Sequence, residues 1–237
     1  MRALCRWVSM CGLVLLSACG GGGDSGDSGP PPPTVDFDVQ AAWGEFLTAS
    51  RSWSVTGIAN NLQRYDIDIA IAPGAASVVP ISGATAARSD TTLQVHENGT
   101  LIGNALSETF YDPGTLQLLG VRLTPSGGAS ACSVATSAAT PPAAAKIGAS
   151  GALATLDERS GCLTTAASVG TSSVGWSLEF EGGISYFCVN STERDLTGAV
   201  LATESDCIEA NPDGSLGARA RLTITQPGTG FALTARG

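Results

Sequence analysis

Apolar and polar residues alternate along most of this chain, and at only one place do they recur at helical spacing. Tyr65-Asp66-Ile67-Asp68-Ile69-Ala70-Ile71 puts a tyrosine and three isoleucines on one face and Asp66 and Asp68 on the other, the period of a half-buried strand. Thr92 to His96 and Thr100 to Gly103 flank Glu97-Asn98-Gly99. Asn-Gly there predicts a tight hairpin, because a type I′ turn needs positive φ at both central residues. Asp112-Pro113-Gly114 predicts a second turn before a strand from Leu116 to Thr124. Trp176, Leu178 and Phe180 alternate with Ser177, Glu179 and Glu181, and Gly182-Gly183 turns the chain into Ile184 to Val189. Pro212-Asp213-Gly214 precedes a strand from Leu216 to Thr225, and Phe231 to Thr234 closes the chain. The exception is Val39 to about Thr48: Asp38 can cap a helix there, with Ala42, Trp43, Phe46 and Leu47 on one stripe, although Gly44 weakens it.

Turns every 8 to 15 residues between alternating runs predict an all-β fold, an antiparallel β-sandwich or barrel with one short N-terminal helix. Ser133 to Ala145 has neither period and reads as a long surface connection. It would divide the domain, residues 35–237, into halves 35–130 and 147–237. A faint echo fits two related halves: Trp53-Ser54-Val55 is similar to Trp176-Ser177-Leu178, and Asp112-Pro113-Gly114 to Pro212-Asp213-Gly214. Shared hairpin chemistry explains the same echo without duplication.

The first eighteen residues have a different pattern: Arg2 and Arg6, an apolar run from Trp7 through Leu16, then small residues. That order reads as a secretory signal, too short to span a bilayer. Leu16-Ser17-Ala18-Cys19 resembles the lipobox of bacterial lipoproteins. The resemblance implies cleavage before Cys19 and acylation of that cysteine, with two or three chains making attachment effectively permanent. Gly20 rather than Asp follows it, which in Gram-negative lipoproteins implies the outer membrane, with the membrane face left open. Residues 19–34 would then be a tether, flexible where Gly and Ser dominate and stiffer through Pro30 to Pro33, with a stretched reach of roughly 45 Å at about 3 Å per residue. Gly23-Asp24-Ser25-Gly26 is similar to the surroundings of a serine-protease nucleophile, but a low-complexity linker cannot hold an imidazole against that hydroxyl. The chain as a whole resembles the small lipoproteins of proteobacterial envelopes, with a leash like that of the transferrin-binding lipoproteins.

Charge narrows the partners. Without Arg2 and Arg6, ten basic residues face 21 acidic ones, a net charge of −11, and Lys146 is the only lysine. Such a surface repels a phosphate backbone, so no nucleic-acid partner is expected, and it offers no polybasic patch for anionic lipid.

Cys5 and Cys11 leave with the signal and Cys19 would carry lipid, so Cys132, Cys162, Cys188 and Cys207 remain. An even number in an exported chain predicts disulfides, and pairing neighbouring segments gives Cys132–Cys162 and Cys188–Cys207. No Cys-x-x-Cys pair exists and the only histidine, His96, is distant, so neither a metal site nor a cofactor is expected. A lone histidine beside a hairpin turn reads as a solvated residue rather than a general base. No Gly-x-Ser-x-Gly elbow or phosphate loop is present. Carboxylates are left. Asp66 and Asp68 share a strand face about 7 Å apart, close enough for calcium or glycosidase-like chemistry, though the pattern is also that of an ordinary wet face. Glu204, Asp206, Glu209 and Asp213 gather in sequence around Cys207 without the order of a calcium loop.

No catalytic residues are expected on these grounds. The expected function is a membrane-anchored, non-catalytic envelope module that binds an unidentified protein, glycan or small ligand. A structural or assembly lipoprotein and a carboxylate-dependent hydrolase are the alternatives.

Overall fold

The computed structural model describes residues 30–237. Cys19, the leader before it and the tether up to Gly29 lie outside the described residues. Helix α1 (Val39–Thr48) is followed by twelve strands: β1 (Arg51–Ile58), β2 (Arg64–Val78), β3 (Thr85–Glu97), β4 (Thr100–Tyr111), β5 (Leu118–Pro125), β6 (Ala131–Ala138), β7 (Ser150–Arg159), β8 (Ser168–Glu181), β9 (Ile184–Asp195), β10 (Val200–Ala210), β11 (Leu216–Gln226) and β12 (Phe231–Arg236). Each strand pairs antiparallel with its neighbour in sequence, and β12 returns to β1 through Thr56↔Arg236 and Gly57↔Ala235. The result is a closed up-and-down barrel, without the exposed edges of a sandwich.

One expectation about the middle of the chain is corrected. Residues 131–138 form β6, which pairs with both β5 and β7, so only 139–149 is a connection. Residues 35–130 and 147–237 both contribute strands to one continuous sheet. Ala, Ser and Thr alternate in β6 with little hydropathy contrast, so its period is invisible in sequence and its register comes from its neighbours. The echoing turns at 112–114 and 212–214 close the β4–β5 and β10–β11 hairpins, six strands apart at the same end of the barrel.

The inward face is the one the alternation predicts. Trp53, Val55, Ile67, Leu93, Val95, Leu156, Trp176, Phe187, Leu222 and Ile224 are buried in one cluster. Outward positions carry Asp66, Asp68, Arg88, Asp90, Arg122 and Arg221 instead of the apolar band that a membrane-spanning barrel turns to lipid. Among the described residues no helix is long and apolar enough to cross a membrane. Strands about 4.8 Å apart and tilted about 40° give twelve of them a backbone cylinder roughly 24 Å across, wider than the eight-stranded size that side chains alone fill. Many inward residues are also small, including Gly57, Gly103, Ala105, Ser107, Ala154 and Ser172.

Helix α1 occupies one end of this space. Asp38 caps it, its Oδ1 accepting from the Ala41 amide at 2.8 Å, and Val39, Ala42, Trp43, Phe46 and Leu47 are buried. Trp43 and Phe46 stack with centroids 5.7 Å apart. The Trp43 indole donates to the Leu116 carbonyl at 2.8 Å, the Asp38 amide to the Pro212 carbonyl at 2.9 Å, and Phe37 bridges to Ala145. The helix is thus stitched to three connections around the same rim. At Gly214, φ is +83° and a Cβ would lie 2.5 Å from that of Ala41 and 2.6 Å from the Asp38 carbonyl oxygen, so only glycine lets the turn approach the helix. Glu45 pairs with Arg51 and accepts from the Leu216 amide at 2.9 Å, fixing the exit from the helix into β1.

Candidate ligand mouth of the barrel

The end away from α1 is built from the β1–β2, β3–β4, β5–β6, β7–β8, β9–β10 and β11–β12 connections. Around it stand Ile58, Leu62, Leu101, Leu163, Leu196 and Leu201, with Leu62, Leu163 and Leu196 respectively 84%, 73% and 72% exposed. Val169, on the same rim, is exposed as well. Only Val35 and Val78, of the nine large apolar side chains exposed among the described residues, lie near the helix end. Single exposed leucines need no explanation, but a collar of them around one opening marks a contact surface.

Just inside this collar is a cavity of about 240 Å³ between β7, β8, β9, β10 and the β11–β12 turn. Val169 and Leu201 lie on its wall together with Glu158, Glu193 and Gln226. The wall is kept flat by Gly170, where a Cβ would collide with the Arg194 carbonyl oxygen, and by Ala202. Arg194 also borders the cavity, with its Nη1 donating to the Gly198 carbonyl at 3.0 Å in the β9–β10 turn.

The strand register places carboxylates on the inward face. Glu97 lies opposite Tyr65 and accepts from its hydroxyl at 2.8 Å. Glu158 lies opposite Gly170, Glu193 opposite Ser172, Glu204 opposite Ile224 and Asp206 opposite Leu222. The acidic group around Cys207 is therefore separated by the pleat. Glu204 and Asp206 point inward, whereas Glu209 lies beside Arg219 and Asp213 holds the Ser215 amide and hydroxyl in the β10–β11 turn. Asp206 is half-buried as a residue, with its carboxyl deep in the lumen beside Trp53, Ile69 and Phe46, and burial pushes it up to about 7. Among the described residues Arg51 is the only basic side chain at an inward strand position, and Glu45 and the Leu216 carbonyl hold it at the helix end.

The carboxylates singled out from sequence are elsewhere. Asp66 and Asp68 are on the outer wall of β2, accepting from Thr56 and Ser54 on β1 at 2.7 Å and 2.5 Å. Hydrogen bonds from Arg64 and Thr56 hold Asp66 below the usual carboxylate range. His96 pairs across the same outer wall with Asp66. These three form a wet face and converge on no concavity. The outer wall also carries Cys188 and Cys207, directly opposite on β9 and β10 with S–S at 2.08 Å, and Cys132 is bonded to Cys162 of the β7–β8 connection, also at 2.08 Å. Arg221 covers the first of these, its Nη2 3.0 Å from Cys207 Sγ and its guanidinium 5.4 Å from the Tyr186 ring centre. Glu179 approaches Cys188 and Cys207 closely enough for a metal, but the sulfurs are bonded to each other and Glu179 is paired with Arg221.

What sequence reading missed is the mouth. Its signal was present as inverted pleating in β10, where Glu204 and Asp206 occupy the face that Ala202 and Ile208 share. No family model matches the chain, and no curated protein or solved structure matches it.

Proposed function

We propose that this chain is a membrane-anchored lipoprotein of the outer membrane whose barrel binds a ligand at the mouth opposite α1, without catalysing its conversion. One observation carries the reading: helix and connections close one end, while the other gathers an exposed apolar collar and a cavity containing inward carboxylates. The polar outer wall supports a water-facing barrel held by a lipid rather than by its strands. The tether joins the barrel at the helix end, so the mouth is free to face away from the anchor. The exposed collar also favours a second reading, an assembly lipoprotein that docks the mouth on another envelope protein.

Two experiments test these readings. Acyl-chain labelling should mark the wild type and not Cys19→Ser; normal processing of the variant with an unlabelled wild type would refute the anchor. A photo-crosslinking residue in place of Leu201, activated in cells, should add the mass of a small molecule, whereas the same residue in place of Asp68 should add nothing. A crosslinked polypeptide at Leu201 would establish the assembly reading instead.

A further inference from the structure

A second site lies on the outer wall, independent of the mouth. The register sets Cys188, Cys207 and Arg221 side by side in one outward row across β9, β10 and β11. We infer that the Cys188–Cys207 bridge is a redox site that exchanges with an external dithiol, with Cys188 as the sulfur attacked and Cys207 as the sulfur released.

Arg221 gives the bridge this polarity. Its Nη2 lies 3.0 Å from Cys207 Sγ and 3.8 Å from Cys188 Sγ, and the guanidinium sits over the Tyr186 ring at 5.4 Å. A neutral disulfide gains little from a neighbouring cation, whereas a thiolate formed beside one gains a charge-assisted contact. The reduced form is therefore stabilised more than the oxidised one, and Cys207 is the better leaving group. The other bridge is arranged differently. Arg122 and Arg159 flank Cys132 in register, but Glu108 takes the first, and Asp157 with the Ala166 carbonyl takes the second.

Cys188 and Cys207 are buried, and Arg221 is the lid over them. The lid is tied to Glu179 and Glu181, whose side chains are 38% and 45% exposed. Ion pairs this accessible to water are weakly held, so the guanidinium can swing aside and admit a thiol. One thiolate of the external dithiol then attacks Cys188 Sγ, the S–S bond breaks, and its electron pair passes to Cys207, which stays as a thiolate beside Arg221. The second thiol of the reagent attacks the mixed disulfide, and its proton goes to Cys188 as that sulfur leaves. The external dithiol departs as a disulfide, and the proton of its first thiol is released to water.

Two measurements on the folded full-length protein, as the cell matures it, test the assignment. Brief exposure to reduced glutathione, then iodoacetamide and peptide mass spectrometry, should find glutathione on Cys188 and the alkyl group on Cys207. The reverse placement, equal placement, or no adduct on either cysteine would overturn the proposal. Equilibration in mixtures of reduced and oxidised dithiothreitol should open Cys188–Cys207 at a less reducing ratio than Cys132–Cys162. Arg221→Leu should make Cys188–Cys207 at least about tenfold harder to reduce, since a hydrogen bond to a charged group contributes more than a factor of ten, and should leave Cys132–Cys162 where it was. An unchanged ratio in the variant, or earlier opening of Cys132–Cys162 in wild type, would overturn the redox assignment. The glutathione measurement needs no substitution, so it decides the matter even where Arg221→Leu fails to fold.

Discussion

The two ends of the barrel are built from the same hairpin topology and differ in what they do with apolar residues. At the helix end, Trp43, Phe46 and Leu47 are buried, the indole has a carbonyl partner, and Gly214 admits the helix at a distance no other residue would allow. At the mouth, Leu62, Leu163 and Leu196 stand in water, and acids face inward beneath them. Apolar side chains at one end therefore stabilise the fold, while those at the other are held exposed. A protein tolerates an exposed apolar collar and inward-facing acids where they serve a contact, and such departures from local rules gather at functional sites.

The sharpest way to break this comparison is to replace one large apolar side chain at each end. Trp43→Ala should lower stability by about 3 to 5 kcal/mol, the usual loss for a buried aromatic. Leu62→Ser should change it by less than about 0.5 kcal/mol, because the residue packs against little. Denaturant unfolding of both variants compares them directly, and similar losses would mean that the mouth is as structural as the seal.

Next in size is the wall that joins the two ends. Replacing both Cys188 and Cys207 by alanine opens a link 19 residues apart and should cost about 3 kcal/mol in the chain-entropy picture. Ligand binding at the mouth should survive, since the sulfurs face outward. Chemical denaturation of the double variant against wild type, both without reductant so that Cys132–Cys162 stays closed, measures the difference.

A third prediction concerns Asp206 and has a definite sign. Its carboxyl is raised by burial to about 7, above the ordinary 3.8 of an unfolded chain, so the folded protein holds this proton more tightly. The stabilising contribution is complete below about pH 4 and is lost as pH rises to about 7. Asp206→Asn should therefore match wild type at pH 4 and exceed it by a few kcal/mol at pH 8, since each pH unit between the unfolded and folded values is worth about 1.4 kcal/mol. Melting curves across that range in the absence of ligand give the answer. A variant less stable than wild type at pH 8 would mean that the ionised carboxylate has a partner in the folded protein.

The smallest effects belong to the outer wall. Asp66→Asn, Asp68→Asn and His96→Ala should each fold, reach the membrane and support any cellular phenotype as wild type does, with stability changed by less than about 0.5 kcal/mol. Loss of a phenotype with unchanged melting in any of them would restore the carboxylate-dependent hydrolase.

Much of this fold was legible because local chemistry and global structure agree. Asp38 and the stripe behind it predict α1 at its observed bounds, and Asn98-Gly99 adopts φ of 49° and 80° as the hairpin pattern requires. Tyr65 and its three isoleucines face inward as their alternation predicts. The choice between sandwich and barrel was not legible, because it depends on β1 meeting β12 across nearly the whole domain, and only Thr56 and Gly57 mark the register of that seam. β6 is hidden in the sequence because its residues are uniformly small, and the inward face of β10 because two of its residues are acidic. The second case is the informative one. A carboxylate on the buried face of a strand looks like noise in an alternation pattern, yet Asp206 lies in the lumen and Glu193, on the next strand, lies on the wall of the mouth cavity. The collar was equally hidden, since Leu62, Leu163 and Leu196 sit in separate turns and are gathered only when the barrel closes.

The most direct test of the mouth as the working end is native mass spectrometry of the protein released from its own membranes. Wild type should carry a small non-covalent adduct. Glu193→Arg, which places a guanidinium on the cavity wall, should be released bare, while Lys146→Glu near the helix end should keep the adduct. A wild-type protein that is always bare, or a Glu193→Arg protein that retains the adduct in full, would contradict the account.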